Sequence, residues 1–382
     1  MKLTTERLRQ LTLARQFPAV RGHGSTALLD LFGRLGPIQS QVPRAPFLFA
    51  ASRLPGIKYA TVAAAFADQQ LLKASNLRGT VHTSTVDHFG WADAAVRPIR
   101  ARDLARTLVI DPAVVEQLIA EIERLCGDLW QRRDDLVDQV RSWLRSTAPA
   151  AHTDELDRTG PAGLVWGHSG LIRRPHDDRW ERRTDILHRT AGRVLPTASS
   201  VDLDQQRAVT ELTRVHLSAY GPASRRDIAW WIGCPLGLVD RALAALGSEI
   251  EPLLGPDGEP LVDLADLPRR RGADPGVRLL PEFDGLLLGY SPANRCRFLE
   301  PQQLDRIWSR ANGQFIGTVL QDGRIVAGWR TRPGRPATDT VIEVRPFEPG
   351  HQLDEATLDR PVGACAAAVG WTVSDVVILP SD

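Results

Sequence analysis

The segment from Gln205 to Leu264 constrains the fold more than any other, because its breaks and apolar spacing leave few ways to arrange it. Gln205 to Ala219 reads as one helix, stopped by Gly221-Pro222. Ser224 and Asp227 then stand at capping-box spacing and open a second helix, Ile228 to Ile232. Gly233-Cys234-Pro235 turns the chain into a third, Leu238 to Leu246. Glu249 to Leu254 and Leu261 to Asp263 flank a Gly255-Pro256-Asp257-Gly258 turn, which makes a β-hairpin. Two helices across a tight turn with a hairpin behind them are the parts of a winged helix, a common DNA reader.

The same order occurs at the N-terminus. Thr4 or Thr5 caps a helix running to Arg15; helices follow at Ser25 to Arg34, Ala45 to Leu54 and Tyr59 to Gln69; Leu71 to Thr85 reads as two strands around a turn. Residues 1–86 are therefore expected to form a first winged helix. Between them, helical patterns at Trp91 to Ala105, Pro112 to Cys126 after the Asp111 cap, and Arg133 to Leu144 precede Leu164 to Trp166 and an extended Ile172 to Trp180. Residues 87–200 thus read as a helical connector and a second winged helix, with bounds blurred by Gly160, Gly163, Gly167 and Gly170, and residues 201–270 as the third. After Arg269-Arg270-Arg271 the texture turns to strand: Val277 to Leu280, Phe283 to Tyr290, Gln314 to Leu320, Arg324 to Trp329 and Val341 to Arg345. Asp322-Gly323 joins two of these as a hairpin. With a helix at Thr357 to Val369 and a strand at Val376 to Leu379, residues 271–382 are expected to form a small β-barrel or curled sheet, and the chain falls in the α+β class.

A chain of 382 residues with 47 basic and 46 acidic side chains carries a formal net charge of +1, so charge alone does not announce a nucleic-acid partner. The basic residues are nearly all arginine, with only Lys2, Lys58 and Lys73 as lysines. Cys126, Cys234, Cys296 and Cys365 form no C-x-x-C, and the acids and histidines around His168, His176, Asp177, Asp178, Asp185 and His188 fit no standard ligand spacing. No metal or other cofactor is expected. The N-terminus lacks an apolar signal core and no segment approaches the ~20 apolar residues of a membrane span, so a cytoplasmic, soluble monomer is the expectation.

Gly36-Pro37-Ile38-Gln39-Ser40-Gln41-Val42 follows the end of the second helix. If this stretch is extended, Gln39 and Gln41 project to one side and Ser40 to the other. Two uncharged amides on one side can hold a water and a polar group of a substrate; a solvated loop with two glutamines is the plainer alternative, since Q-x-Q by itself is a weak pattern.

Four stretches in order resemble the AlkZ/YcaQ family of bacterial DNA glycosylases. They are Leu35 to Gln41, Leu77-Arg78-Gly79-Thr80-Val81-His82, Leu280-Pro281-Glu282-Phe283-Asp284-Gly285 on to Tyr290, and Asn312-Gly313-Gln314-Phe315 leading to Asp322-Gly323-Arg324 and Trp329-Arg330. The resemblance implies tandem winged helices around a concave DNA-facing surface, a C-terminal barrel, and removal of alkylated bases from double-stranded DNA. The family's catalytic motif is Q-aliphatic-Q in one branch and Q-aliphatic-D in the other; this chain matches the first at Gln39 and Gln41 and departs from it at Ser40.

The implied substrate is a guanine alkylated at N7, bulky or cross-linked, and the implied setting is repair or self-resistance to a DNA-alkylating natural product. Such a base is a cation and leaves readily, so what remains is to aim water at an oxocarbenium-like sugar. A glutamine can accept a hydrogen bond from that water but cannot take its proton. Gln41 is assigned as the water-orienting residue and Gln39 as its positioning partner, with the swapped roles as the alternative. No lysine lies in a motif for Schiff-base chemistry, which predicts a monofunctional glycosylase. Candidate DNA contacts are Arg78 and His82 in the first wing, Arg324 at the tip of the Asp322-Gly323 hairpin, and Arg269, Arg270 and Arg271; a structural histidine, an exposed turn charge and a solvated linker are the respective alternatives for His82, Arg324 and the arginine run. Trp230 and Trp231 read as core. A winged-helix transcription regulator and a non-enzymatic adduct binder are the competing readings; both predict DNA binding without base release.

Overall fold

The computed structural model describes residues 2–381 except 21, 128, 148–153, 155–161, 185, 193–194, 196–202, 269–271, 273 and 352. The chain begins with α1 (Thr5–Gln16), α2 (Ser25–Leu35), the short strand β1 (Ile38–Gln39), α3 (Ala45–Arg53), α4 (Tyr59–Ala67), β2 (Leu71–Ser75) and β3 (Val81–Thr85). It continues through α5 (Val86–Leu108), α6 (Pro112–Cys126), β4 (Gln131–Arg132), α7 (Arg133–Thr147), α8 (Ala162–Gly167), β5 (Leu171–Arg174) and β6 (Leu187–Thr190). Then come α9 (Gln205–Tyr220), α10 (Arg225–Ile232) and α11 (Leu236–Leu246), followed by the antiparallel hairpin of β7 (Ile250–Leu254) and β8 (Pro260–Leu264). The remainder is β9 (Arg278–Leu280), α12 (Gly285–Leu288), α13 (Pro301–Ile307), β10 (Trp308–Ser309), β11 (Gln314–Phe315), β12 (Gly317–Gln321), β13 (Arg324–Pro333), β14 (Thr340–Pro346), α14 (Glu355–Val369) and β15 (Val373–Ile378).

The N-terminal hairpins do not stand apart as separate wings. A single pair, Ala74 with Ile172, joins β2 to β5, and one six-stranded sheet results in the order β1-β3-β2-β5-β6-β4. Fusing two hairpins edge to edge satisfies backbone groups that each would otherwise expose.

α9 is the central strut. Its Val209, Leu212, Leu217 and Tyr220 are buried, and it packs against α1, α2, α5 and α11. α1 docks on the hairpin of β7 and β8, with Leu8 and Leu11 against Leu253 and Leu261. Arg15 adds a fork to both carboxylate oxygens of the fully buried Asp263 at 2.8 Å each.

In the C-terminal region the Asp322-Gly323 turn joins β12 and β13 as expected, with φ of 50° and 72°. Two expectations fail. Phe283 to Tyr290 is not a strand: the Asp284 side chain accepts from Leu286 N and caps α12, whose leucines are all buried. A run apolar on every side carries no period that separates strand from helical turn. The barrel is also not closed. The sheet is open, in the order β15-β14-β13-β12-β9, because β15 returns parallel to β14 after α14 and leaves β9 and β15 as free edges. α12 is tied inward by Arg53, which forks onto Asp284 at 2.7 and 3.0 Å with both side chains buried.

Candidate active site

Gly36 sets the direction in which the chain leaves α2. Its φ is +74°, and a Cβ there would lie 2.7 Å from Val215 Cγ1, so glycine alone allows this approach to α9. Ile38 and Gln39 then pair antiparallel with Thr83 and His82, and Ser40 N donates to Val81 O at 2.8 Å. Strand alternation puts Gln39 on the His82 face and Ser40 on the other, where its hydroxyl is 2.8 Å from Thr83 Oγ1. The family's aliphatic position is thus occupied here by one half of a buried hydroxyl pair.

On the Gln39 face the polar groups form a directed chain. Arg78 Nη2 donates to Gln39 Oε1 at 2.8 Å, and Gln39 Nε2 donates to Gln41 Oε1 at 3.2 Å. A guanidinium has only donors, so it fixes which end of the Gln39 amide faces it and hence which end faces Gln41. Gln39 is 9% exposed and Gln41 is half-buried, so the chain ends at the more open carboxamide. Among the described residues, the bond from Gln39 Nε2 is the one side-chain bond that Gln41 makes.

Arg78 holds an unusual backbone, with φ of 52° and ψ of 13°, a left-handed conformation that costs a side-chain-bearing residue about 1 kcal/mol or more. Gly233, the C-cap of α10, makes room for it: a Cβ there would meet Arg78 N and Cα at 2.9 Å. Arg78 Nη1 donates to Trp231 O at 2.6 Å, and its guanidinium carbon lies 4.4 Å from the Trp230 ring centre. Burial first, then the charge of Arg295, pushes Arg78 down to about 9, which leaves it a cation at neutral pH.

His82 lies beneath this chain rather than at a wing surface. Its Nδ1 is 2.9 Å from Thr80 O and therefore carries the hydrogen, leaving Nε2 as an acceptor 3.5 Å from Arg78 Nη2. Burial, then the Arg78 charge, pushes its pKa down to about 3. A neutral, 1% exposed histidine is not a phosphate contact, and its place here is support for Arg78.

The other expected contacts are elsewhere. Arg324 is exposed and pairs with Glu300 at 3.4 Å, with no bond to the glutamine pair. Arg269, Arg270 and Arg271 lie outside the described residues, as does Asp185. No group of His, Cys, Asp and Glu among the described residues is placed to hold a metal ion. His168 and His188 are buried, whereas His176, Asp177 and Asp178 are exposed. Trp231 is core at 2% exposure, but Trp230 is half-buried and carries Arg78 and Arg295 on its ring.

Two further residues near the site are not singled out by the sequence motifs. Arg183, in the connection between β5 and β6, reaches Gln41 O with Nη2 at 3.2 Å and is exposed. Arg295 lies in the loop after α12 and is 4% exposed. A basic run at Arg179, Arg182 and Arg183 could have marked the first; nothing local marks the second.

Three comparisons bear on this site. The family profile described as DNA glycosylase AlkZ-like matches residues 32–368. A relative from Streptomyces sahachiroi named "Interstrand DNA cross-link repair glycosylase" is 24% identical over 386 residues, covering 97% of this chain and 98% of the relative. The solved structure of Streptomyces sahachiroi DNA glycosylase AlkZ superposes with a TM-score of 0.80 at 22% identity, over 99% of this chain and 100% of that one.

Proposed function

The chain belongs to the AlkZ-like DNA glycosylase family and is a hydrolase of N-glycosyl bonds, and from that premise we propose that it releases N7-alkylated guanine from duplex DNA with Gln39 and Gln41 at the reacting centre. The observation that carries the reading is the hydrogen-bond chain from Arg78 through Gln39 to Gln41. It spends the polar capacity of Gln39 on positioning and leaves Gln41 as the amide that meets substrate.

In this reading the C1′–N9 bond breaks with its electron pair going to N9, which neutralises the cationic base. The free lone pair of Gln41 Oε1 accepts a hydrogen bond from a water and turns the water oxygen toward C1′. A C1′–O bond forms and the proton passes to solvent, because neither amide can hold it near neutral pH. The leaving group needs no acid, so selectivity comes from the charge on the lesion; neutral bases are left alone. Tandem winged helices supply the DNA surface, and Arg183, exposed and bonded to the Gln41 carbonyl, stands ready for a phosphate near the reacting sugar. The relative is named for interstrand DNA cross-link repair, which supports extending the proposal to cross-linked DNA; the proposed setting is repair or self-resistance, and the proposed product an intact abasic site.

The test is single-turnover release of N7-methylguanine from duplex DNA by Gln39→Ala and Gln41→Ala proteins that fold normally. Wild-type rates in both remove the assignment. Borohydride trapping of a protein–DNA adduct would contradict the monofunctional part. A transcription regulator would bind one operator sequence tightly and release no base.

A further inference from the structure

A buried cation beside a reaction that passes through a cation is an electrostatic problem. Arg295 is 4% exposed, its Nε and Nη1 are buried without hydrogen-bond partners, and no carboxylate pairs with it among the described residues. Its guanidinium carbon lies 4.6 Å from the Trp230 ring centre, 4.7 Å from that of Trp308 and 5.4 Å from that of Phe315. Arg78 sits 4.4 Å from the same Trp230 ring and likewise has no acidic partner. Two guanidiniums therefore share one indole, and the nearer of them touches Gln39.

Aromatic faces hold a guanidinium in place but do not cancel its charge. The segment is built to hold Arg295 there. Asp227 accepts from Ser291 N at 2.9 Å and from Asn294 Nδ2 at 3.1 and 2.9 Å, which pins the 292–297 turn to the N-terminal end of α10, the helix that carries Trp230. The lesion brings one positive charge, which passes from the alkylated base to the sugar as the bond breaks, and two uncompensated positive charges nearby would oppose both its binding and the proposed reaction. An anion between them and the sugar removes that opposition, and DNA carries one on every nucleotide.

We propose that Arg295, with Arg78 across Trp230, seats a single backbone phosphate of the damaged strand, holding that anion close to the sugar on which positive charge develops. The seat rests on the glycosylase reading for its purpose, but binding at the seat does not depend on catalysis. Arg295 is a positioning residue here: it fixes the phosphate, and the phosphate fixes the sugar against Gln41.

The experiment places a neutral methylphosphonate at each position flanking the lesion in turn. Binding is measured on a duplex with a tetrahydrofuran abasic analogue and base release on the N7-methylguanine duplex. In the wild-type protein one position is expected to weaken binding by about tenfold or more, the loss of a charge-assisted contact. In Arg295→Met, which keeps the stacking stem, that penalty is expected to vanish while penalties at other phosphates persist. The slope of log K against log salt should fall by about 0.9, one phosphate's share. Arg295→Lys retains a point charge and should keep part of the penalty, which guards against a methionine variant that folds poorly. The same penalties in Arg295→Met as in wild type, with an unchanged slope, overturn the proposal. Wild-type protein that shows the interference pattern but releases no base overturns the glycosylase reading and leaves the phosphate seat standing.

Discussion

Changing Gln39→Glu isolates the direction of the amide chain. The substitution is nearly isosteric, so the new carboxylate keeps its place 2.8 Å from Arg78 Nη2 and gives that unpaired guanidinium an acidic partner. It loses the N–H that now reaches Gln41 Oε1 at 3.2 Å. Two acceptors then face each other, and the Gln41 amide turns round to donate to the carboxylate, carrying its oxygen away from the water. A hydrogen bond to a charged group is worth about 1.5–3 kcal/mol, so the competent orientation falls to roughly one part in ten to one in a hundred and fifty. The single-turnover rate of N7-methylguanine release should drop by that factor. The melting temperature should hold or rise, because the Arg78 charge is now neutralised. A rate equal to or above the wild type refutes the reasoning, since it would mean that a negative charge near the sugar matters and the aim of the amide does not. A rate loss with a matching loss of stability would refute it in the other direction.

Other outcomes follow from the same geometry. Ser40→Val restores the family's aliphatic residue but strands the Thr83 hydroxyl, costing about 1–2 kcal/mol in urea unfolding with base release within twofold of wild type; adding Thr83→Val should recover the stability. Arg53→Met leaves the buried Asp284 charge unpaired and should destabilise by about 3–5 kcal/mol, with partial recovery in combination with Asp284→Asn. Burial drives His82 and His188 down to about 3 and His88 and His216 down to about 4, below the unfolded value of ~6.5. The unfolded chain therefore takes up protons that the folded chain refuses. Stability should be full above pH ~6.5 and fall as the pH drops toward 4, with a slope approaching about 1.4 kcal/mol per pH unit for each histidine. Denaturant midpoints at pH 7.5 and 5 check this, and a flat profile contradicts it.

Local signals in the sequence located most elements. The capping box at Ser224, the Asp322-Gly323 turn and the Gly36 break all act within four residues, and each does in the fold what its chemistry dictates. The failures are non-local. Phe283 to Tyr290 was ambiguous because its surroundings, not its own period, decide its form. The barrel failed because closure depends on how β15 returns after α14. Gln39 and Gln41 could be placed on one side from strand alternation, but the orientation of their amides is fixed by Arg78, and Arg78 is placed by Gly233 and Trp231, over 150 residues away in sequence. His82 reads as a DNA contact from its place in the first wing; the pairing of β1 with β3 buries it. Arg295 was invisible because its role rests on three aromatic rings brought from other elements.

The proposed reacting centre is thus a junction rather than a possession of any one segment. Strand β1 and the bend after it offer the amides, the turn before β3 the fork that aims them, α10 and its C-cap the indole and glycine that admit the fork, and the loop after α12 a second cation. Genes that exchange or shed one of these pieces wholesale would keep a DNA-gripping protein while silencing its chemistry. Descent with preserved activity must therefore proceed by small correlated changes at distant positions, and surviving single-step departures are expected where the junction is slack, as on the hidden side of β1 at Ser40.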